Sequence, residues 1–168
     1  MFARQRSEFI HNDDQTILSP TGMLESVNQN LLETGIGKHA TLCVGVIDLN
    51  ENTLCYSVAG HLPLPVLATA KECQFLQTEG MPVGLFESAE YNDATINLPT
   101  TFSLTLFTDG VLEVVPEKGV LAQEQFLLDQ LNTQPDSIGK VLTALSLDSI
   151  EDVPDDIAVL LISKGLTA

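Results

Sequence analysis

Three carboxylates flank the two most apolar stretches of the second half of the chain. Asp109 directly follows Leu104-Thr105-Leu106-Phe107-Thr108, and Asp155-Asp156 directly precede Ile157-Ala158-Val159-Leu160-Leu161-Ile162. In an antiparallel pair the end of one strand adjoins the start of its neighbour, so Asp109 and Asp155 are predicted to meet at one sheet edge. Carboxylate oxygens converging there suit a hard divalent cation such as magnesium or manganese. Each motif also has a plainer reading: Asp109-Gly110 is a common hairpin signal, and Asp after Pro154 suits a turn. His61 is open to two roles, a general acid beside a phosphate or a hydrogen-bond partner in a strand turn. His11 and His39 have no companion ligand and read as surface residues.

Charge limits what such a site would act on. Seven Lys and Arg against 23 Asp and Glu leave a net charge of -16, which repels the phosphates of nucleic acid and of anionic membranes. Neither is an expected partner. A phosphorylated substrate is repelled as well, so chemistry on phosphate requires metal ions to reverse the local field. No apolar run reaches the roughly 18 residues of a membrane span, and no signal-peptide pattern opens the chain, so a cytoplasmic protein is expected. Cys43, Cys55 and Cys73 lack CxxC spacing, and the first two fall in apolar strand patterns as small core residues. The phosphate-binding GxxxxGK loop, the GxGxxG turn, the GxSxG elbow and the HExxH pair do not occur.

The elements that must position the carboxylates follow from periodicity. Ser19-Pro20 supplies an N-cap and a first helical residue, and Leu24, Val27 and Leu31 continue at helical spacing, predicting a helix over 20–34. Gly35-Ile36-Gly37 stops it. From His39 the period becomes that of a strand, with Leu42, Val44 and Val46 on one face, a turn at 48–52 and a return over 53–58. A further strand is expected within 62–69, a short one at Phe75-Leu76, and two more over 91–98 and 102–108. The glycines of Gly80-Met81-Pro82-Val83-Gly84 let the backbone pass close to something. Helices are predicted over 121–131 and 137–147, and an almost wholly apolar strand over 157–163 is expected to be central. Strands segregated from helices indicate α+β. Length and a 44% apolar content suit a single domain over 1–168, with its core at 20–163 and residues 1–19 as the tail of a preceding helix and a loop.

Several of these motifs occur together in one family. Thr41-Leu42, Ala59-Gly60-His61-Leu62-Pro63, Met81-Pro82-Val83-Gly84-Leu85, Phe107-Thr108-Asp109-Gly110-Val111-Leu112-Glu113 and Asp155-Asp156-Ile157 resemble, in order and spacing, the stage II sporulation E type of metal-dependent protein phosphatase, within the protein phosphatase 2C superfamily. The resemblance implies an antiparallel β-sandwich flanked by helices, with two manganese or magnesium ions at one end. Carried over by motif, Asp109 and Asp155 are metal ligands, with Gly110, Asp156 and His61 in supporting positions. The implied chemistry is direct attack on phosphorus by water that the ions activate, with no covalent enzyme intermediate.

The departures from the family pattern are equally specific. The family opens with strands bearing a Gly-Asp and an Asp-x-x-Gly-His-Gly motif that supply the remaining ligands, and neither occurs here, so an N-terminally truncated domain is expected. Val58 stands where asparagine is usual, Thr100-Thr101 where Gly-Asp is usual, and Ala158 where threonine is common. Two functions therefore follow from the resemblance: a serine/threonine phosphatase acting on a phosphorylated anti-sigma-factor antagonist, or a regulatory pseudophosphatase that binds a partner, such as the output domain of a response regulator. Little or no activity is expected of this chain in isolation. An upstream sensor or receiver domain is an expected partner, and an open sheet edge makes a homodimer another.

Overall fold

A computed structural model describes residues 19–150 and 154–166. The helix end and loop predicted before residue 19, including His11, lie outside the described residues. The rest falls into two compact units, one of residues 19–61 and 78–97, the other of residues 62–77 and the described residues from 98 onward. Mixed helices and antiparallel sheet make up the fold, as the α+β patterning predicts.

The first unit is helix α1 (Pro20–Glu33) and a three-stranded sheet of order β1 (Leu42–Asp48), β2 (Thr53–Ala59), β5 (Ala94–Asn97). α1 starts where the cap signal places it: the Ser19 hydroxyl accepts the Gly22 N–H at 3.1 Å, and Pro20 occupies the first turn. Asp93 adds a second brace, accepting the Thr21 N–H at 2.8 Å and the Thr21 hydroxyl at 2.7 Å. Leu24 and Asn28, one turn apart, are buried. Asn28 is a polar residue turned to positioning: its Oδ1 accepts the Gly84 N–H at 2.7 Å while its Nδ2 donates to the Phe86 carbonyl at 3.1 Å. The helix thereby holds the glycine loop, around a core of Leu24, Ala59, Val83 and Tyr91.

The second unit is a four-stranded antiparallel sheet of order β4 (Cys73–Phe75), β3 (Val66–Thr69), β6 (Phe102–Phe107), β7 (Val159–Lys164). Its helices are α2 (Gly110–Val114), α3 (Val120–Leu131) and α4 (Ile138–Ala144), followed by a 3-10 turn at Leu147–Ser149. The core joins Val66 and Phe107 of the sheet to Val111 of α2, Leu127 and Leu131 of α3 and Val141 of α4. β6 is buried along its whole length, which is why it can hold its C-terminal end in a fixed place.

Two expectations change. Among the described residues β7 pairs with β6 alone, so it ends the sheet instead of lying at its centre, and Val159–Ile162 are half-buried. An apolar run reads the same whether a second strand or a packed helix covers it, and here α4 and the 3-10 turn lie against the unit's core. The chain also gains α2, a five-residue helix that begins immediately after Asp109.

The three cysteines are free and half-buried. Burial pushes the Cys43 thiol up to about 11, and burial followed by the nearby Asp129 charge pushes Cys73 up to about 11. Both stay protonated at neutral pH, as packing residues rather than redox groups would. Because these values are higher folded than unfolded, the stabilisation they carry is complete below the ordinary thiol pKa and is lost as pH rises through about 11.

Candidate metal centre

The site is assembled at the end of the β6–β7 ladder, whose last pair is Phe107 with Val159. Thr108 continues it by one step. Its N–H donates to the Ala158 carbonyl at 3.1 Å, its hydroxyl donates to the Asp156 carbonyl at 2.9 Å, and the same oxygen accepts the Ala158 N–H at 2.8 Å. One hydroxyl can do both because it carries one donor and two acceptor lone pairs. The Asp155-Asp156 turn is thus tied to the residue that precedes Asp109.

Gly110 supplies the second constraint. A Cβ at this position would lie 2.6 Å from the Asp156 carbonyl oxygen and 3.3 Å from the Asp155 carbonyl carbon. The absence of a side chain lets the two backbone segments touch. The strand ends meet as the antiparallel geometry predicts, and Asp109, Asp155 and Asp156 are all solvent-exposed there.

The carboxylates are differently engaged. Asp109 sits at the start of α2 in a helical conformation and makes no capping hydrogen bond with its side chain, so its oxygens are not spent on the helix. One oxygen of Asp155 accepts the Asp156 N–H at 2.8 Å, which fixes the carboxylate's direction and leaves its other oxygen. Hard anionic oxygens of this kind fit magnesium or manganese in type. In number they do not complete a site: among the described residues no group of three or more His, Cys, Asp or Glu side chains is placed to hold a metal ion.

His61 belongs to the first unit, buried at 8% exposure at the end of β2. The Gly60 N–H before it donates to the Gly80 carbonyl at 2.8 Å, and Gly80 in turn presses against the Val58 carbonyl. These glycines give the close backbone approach expected of the loop. His39 is exposed, as read from the sequence. Thr108 and Asn28 are the positioning residues that periodicity did not single out. The only sequence signal for Thr108 is a hydroxyl residue at the boundary between a buried strand and an acid-glycine pair.

Residues 3–164 match the family model described as Stage II sporulation protein E (SpoIIE). The chain belongs to this family. No curated protein matches its sequence. Among solved structures, the SpoIIE-family chain is similar to the RsbU and RsbW domains of Rv1364c from Mycobacterium tuberculosis, at TM-score 0.70 and 24% identity, covering 88% of this chain and 43% of that one. The phosphatase domain of the cell fate determinant SpoIIE from Bacillus subtilis, presoaked with manganese, matches at TM-score 0.60 and 15% identity over 99% of this chain and 79% of that one. RsbX in complex with magnesium matches at TM-score 0.62 and 16% identity, over 92% and 66% respectively. At these identities the likeness is one of fold, that of protein phosphatase 2C domains. The SpoIIE-family chain spans less than half the length of the first of them. Among its described residues no helix is long and apolar enough to cross a membrane.

Proposed function

We propose that the chain is part of a metal-dependent serine/threonine phosphatase that acts on a phosphoprotein, with Asp109 and Asp155 as ligands of manganese or magnesium. The observation that carries this reading is the splice of Thr108 and Gly110 onto Asp155-Asp156, which brings the backbones that carry Asp109 and Asp155 together at one sheet end. A bound cation there supplies Lewis-acid stabilisation of charge on a phosphoryl group and activation of water. It also answers the electrostatic problem of a chain with net charge -16 receiving a phosphate.

In this reading Asp109 and Asp155 would present negative oxygens to the cation and Thr108 would set the spacing of their backbones, while the family resemblance gives Asp156 the role of orienting water beside them. Family resemblance makes a phosphorylated anti-sigma-factor antagonist the proposed substrate, and an upstream sensor or receiver domain and a second copy of the chain are proposed partners.

Two carboxylates bind these ions weakly, so turnover by the chain alone is expected to be slow at most. The test is phosphate release from a serine-phosphorylated protein at millimolar manganese. The reading predicts release that a chelator stops and that Asp109→Asn abolishes; release indifferent to both contradicts it. The absence of a third metal-binding side chain among the described residues favours a second reading, a partner-binding pseudophosphatase. That reading predicts stable association with the phosphoprotein and no release at any manganese concentration.

A further inference from the structure

Beside Asp155 and Asp156 in the second unit lies an open cavity of about 380 Å³. It is lined by Leu142, Leu147, Ile150, Ile157 and Val159 together with the two aspartates. The wall is firm, because Leu147, Ile157 and Val159 also pack against the unit's buried core. The loop that carries Leu147 is held in place too. Ser146 turns it with a left-handed φ of 57, the Thr143 hydroxyl donates to Asp148 at 3.0 Å, and the Ser149 hydroxyl donates to the Ser146 carbonyl at 2.9 Å.

We propose that this groove is a specificity subsite that takes an apolar side chain one or two residues from the phosphorylated serine or threonine of the substrate. The proposal rests on the phosphatase reading above. Three observations select this occupant. The groove is lined by Asp155, one of the two carboxylates proposed to hold the ion that meets the phosphate, so an occupant is attached close to that phosphate. An extended chain advances about 3.3–3.6 Å per residue, which puts a neighbouring side chain within its reach. Five of its seven lining residues are aliphatic, and the exposed Asp155 and Asp156 among the rest repel an acidic flank. An aliphatic side chain therefore gains by burial and an acidic one loses by like charge.

The experiment compares fluorescently labelled phosphoserine peptides that differ only in carrying leucine or glycine on both sides of the phosphoserine, by anisotropy in the presence of manganese. Wild-type chain is expected to bind the leucine peptide about tenfold more tightly, the size of effect that burying one aliphatic side chain gives. Leu142→Gln is expected to remove that preference while leaving the glycine peptide's affinity unchanged. Ile150→Gln is the second variant, since neither side chain belongs to the core cluster, and circular dichroism serves to check that each variant folds. Equal, manganese-dependent binding of both peptides overturns the subsite and leaves the phosphatase reading standing. Binding of neither, or binding indifferent to manganese, overturns both.

Discussion

Gly110→Ala is expected to remove manganese binding from a chain that still folds, at a cost of about 1–3 kcal/mol in stability, the range for forcing one methyl into packed space. The added Cβ would sit 2.6 Å from the Asp156 carbonyl oxygen and 3.1 Å from its carbon. These are backbone atoms, so no rotamer change relieves the contact. The Asp155-Asp156 turn must move instead, which breaks the Thr108 hydrogen bonds and carries Asp155 away from Asp109. The loss should be local: β6 is buried throughout and paired on both sides, so the sheet persists. Urea unfolding gives the stability term and a manganese titration gives the binding term. Full manganese affinity in this variant would show that the contact does not organise the site.

Gly80→Ala is expected to be more damaging to the fold, at or beyond the upper end of the same range of about 1–3 kcal/mol. Its Cβ would lie 2.1 Å from the Val58 carbonyl oxygen in β2. Gly80 also accepts the Gly60 N–H and bridges to Tyr91, so displacing it pulls on the turn that carries His61. Against a total stability of about 5–15 kcal/mol, a loss of this size lowers the melting temperature by several degrees. Thermal unfolding followed by circular dichroism reads it directly, and an unchanged midpoint would contradict the packing described for this loop.

The parts of the fold that were legible in the sequence are those where one local rule dominates. Ser19-Pro20 and the spacing of Leu24, Val27 and Leu31 predict α1 to within a residue of its observed end, Glu33. The alternation through Leu42, Val44 and Val46 with the turn at 48–52 predicts the β1–β2 hairpin, whose ladder runs from Leu42 with Ala59 to Asp48 with Thr53. Where tertiary context decides, the sequence is ambiguous. The apolar run at 157–163 was consistent with a central strand, and only the sheet order shows it at the end among the described residues. Asp109-Gly110 carries the signal of a turn, yet it opens α2, because Val111 and Val115 can bury themselves against Phe107 and the core. The return predicted over 62–69 narrows to Val66–Thr69, since Pro63 and Pro65 cannot donate to a ladder.

For the candidate site, the sequence predicts that the strand ends bearing Asp109 and Asp155 meet, because antiparallel pairing puts opposite ends of two strands side by side. It did not supply the device that sets their separation. Thr108 is visible only as one letter within a motif, and the two hydrogen bonds of its hydroxyl link residues 48 and 50 positions away. No periodicity reports a contact of that kind. The requirement for glycine at 110 is likewise a property of two loops meeting, not of either loop alone.

The claim that Asp109 and Asp155 serve one cation is tested most directly by manganese affinity in a double-mutant cycle of Asp109→Asn and Asp155→Asn. Losing even an outer partner of a metal site typically costs about 10–100-fold, so each single variant is expected to weaken binding by at least about tenfold. If both ligands hold the same ion, the double variant binds scarcely worse than either single one, because the second loss removes little that the first has left. Single variants that bind like the wild type, or losses that multiply independently, would contradict a shared site.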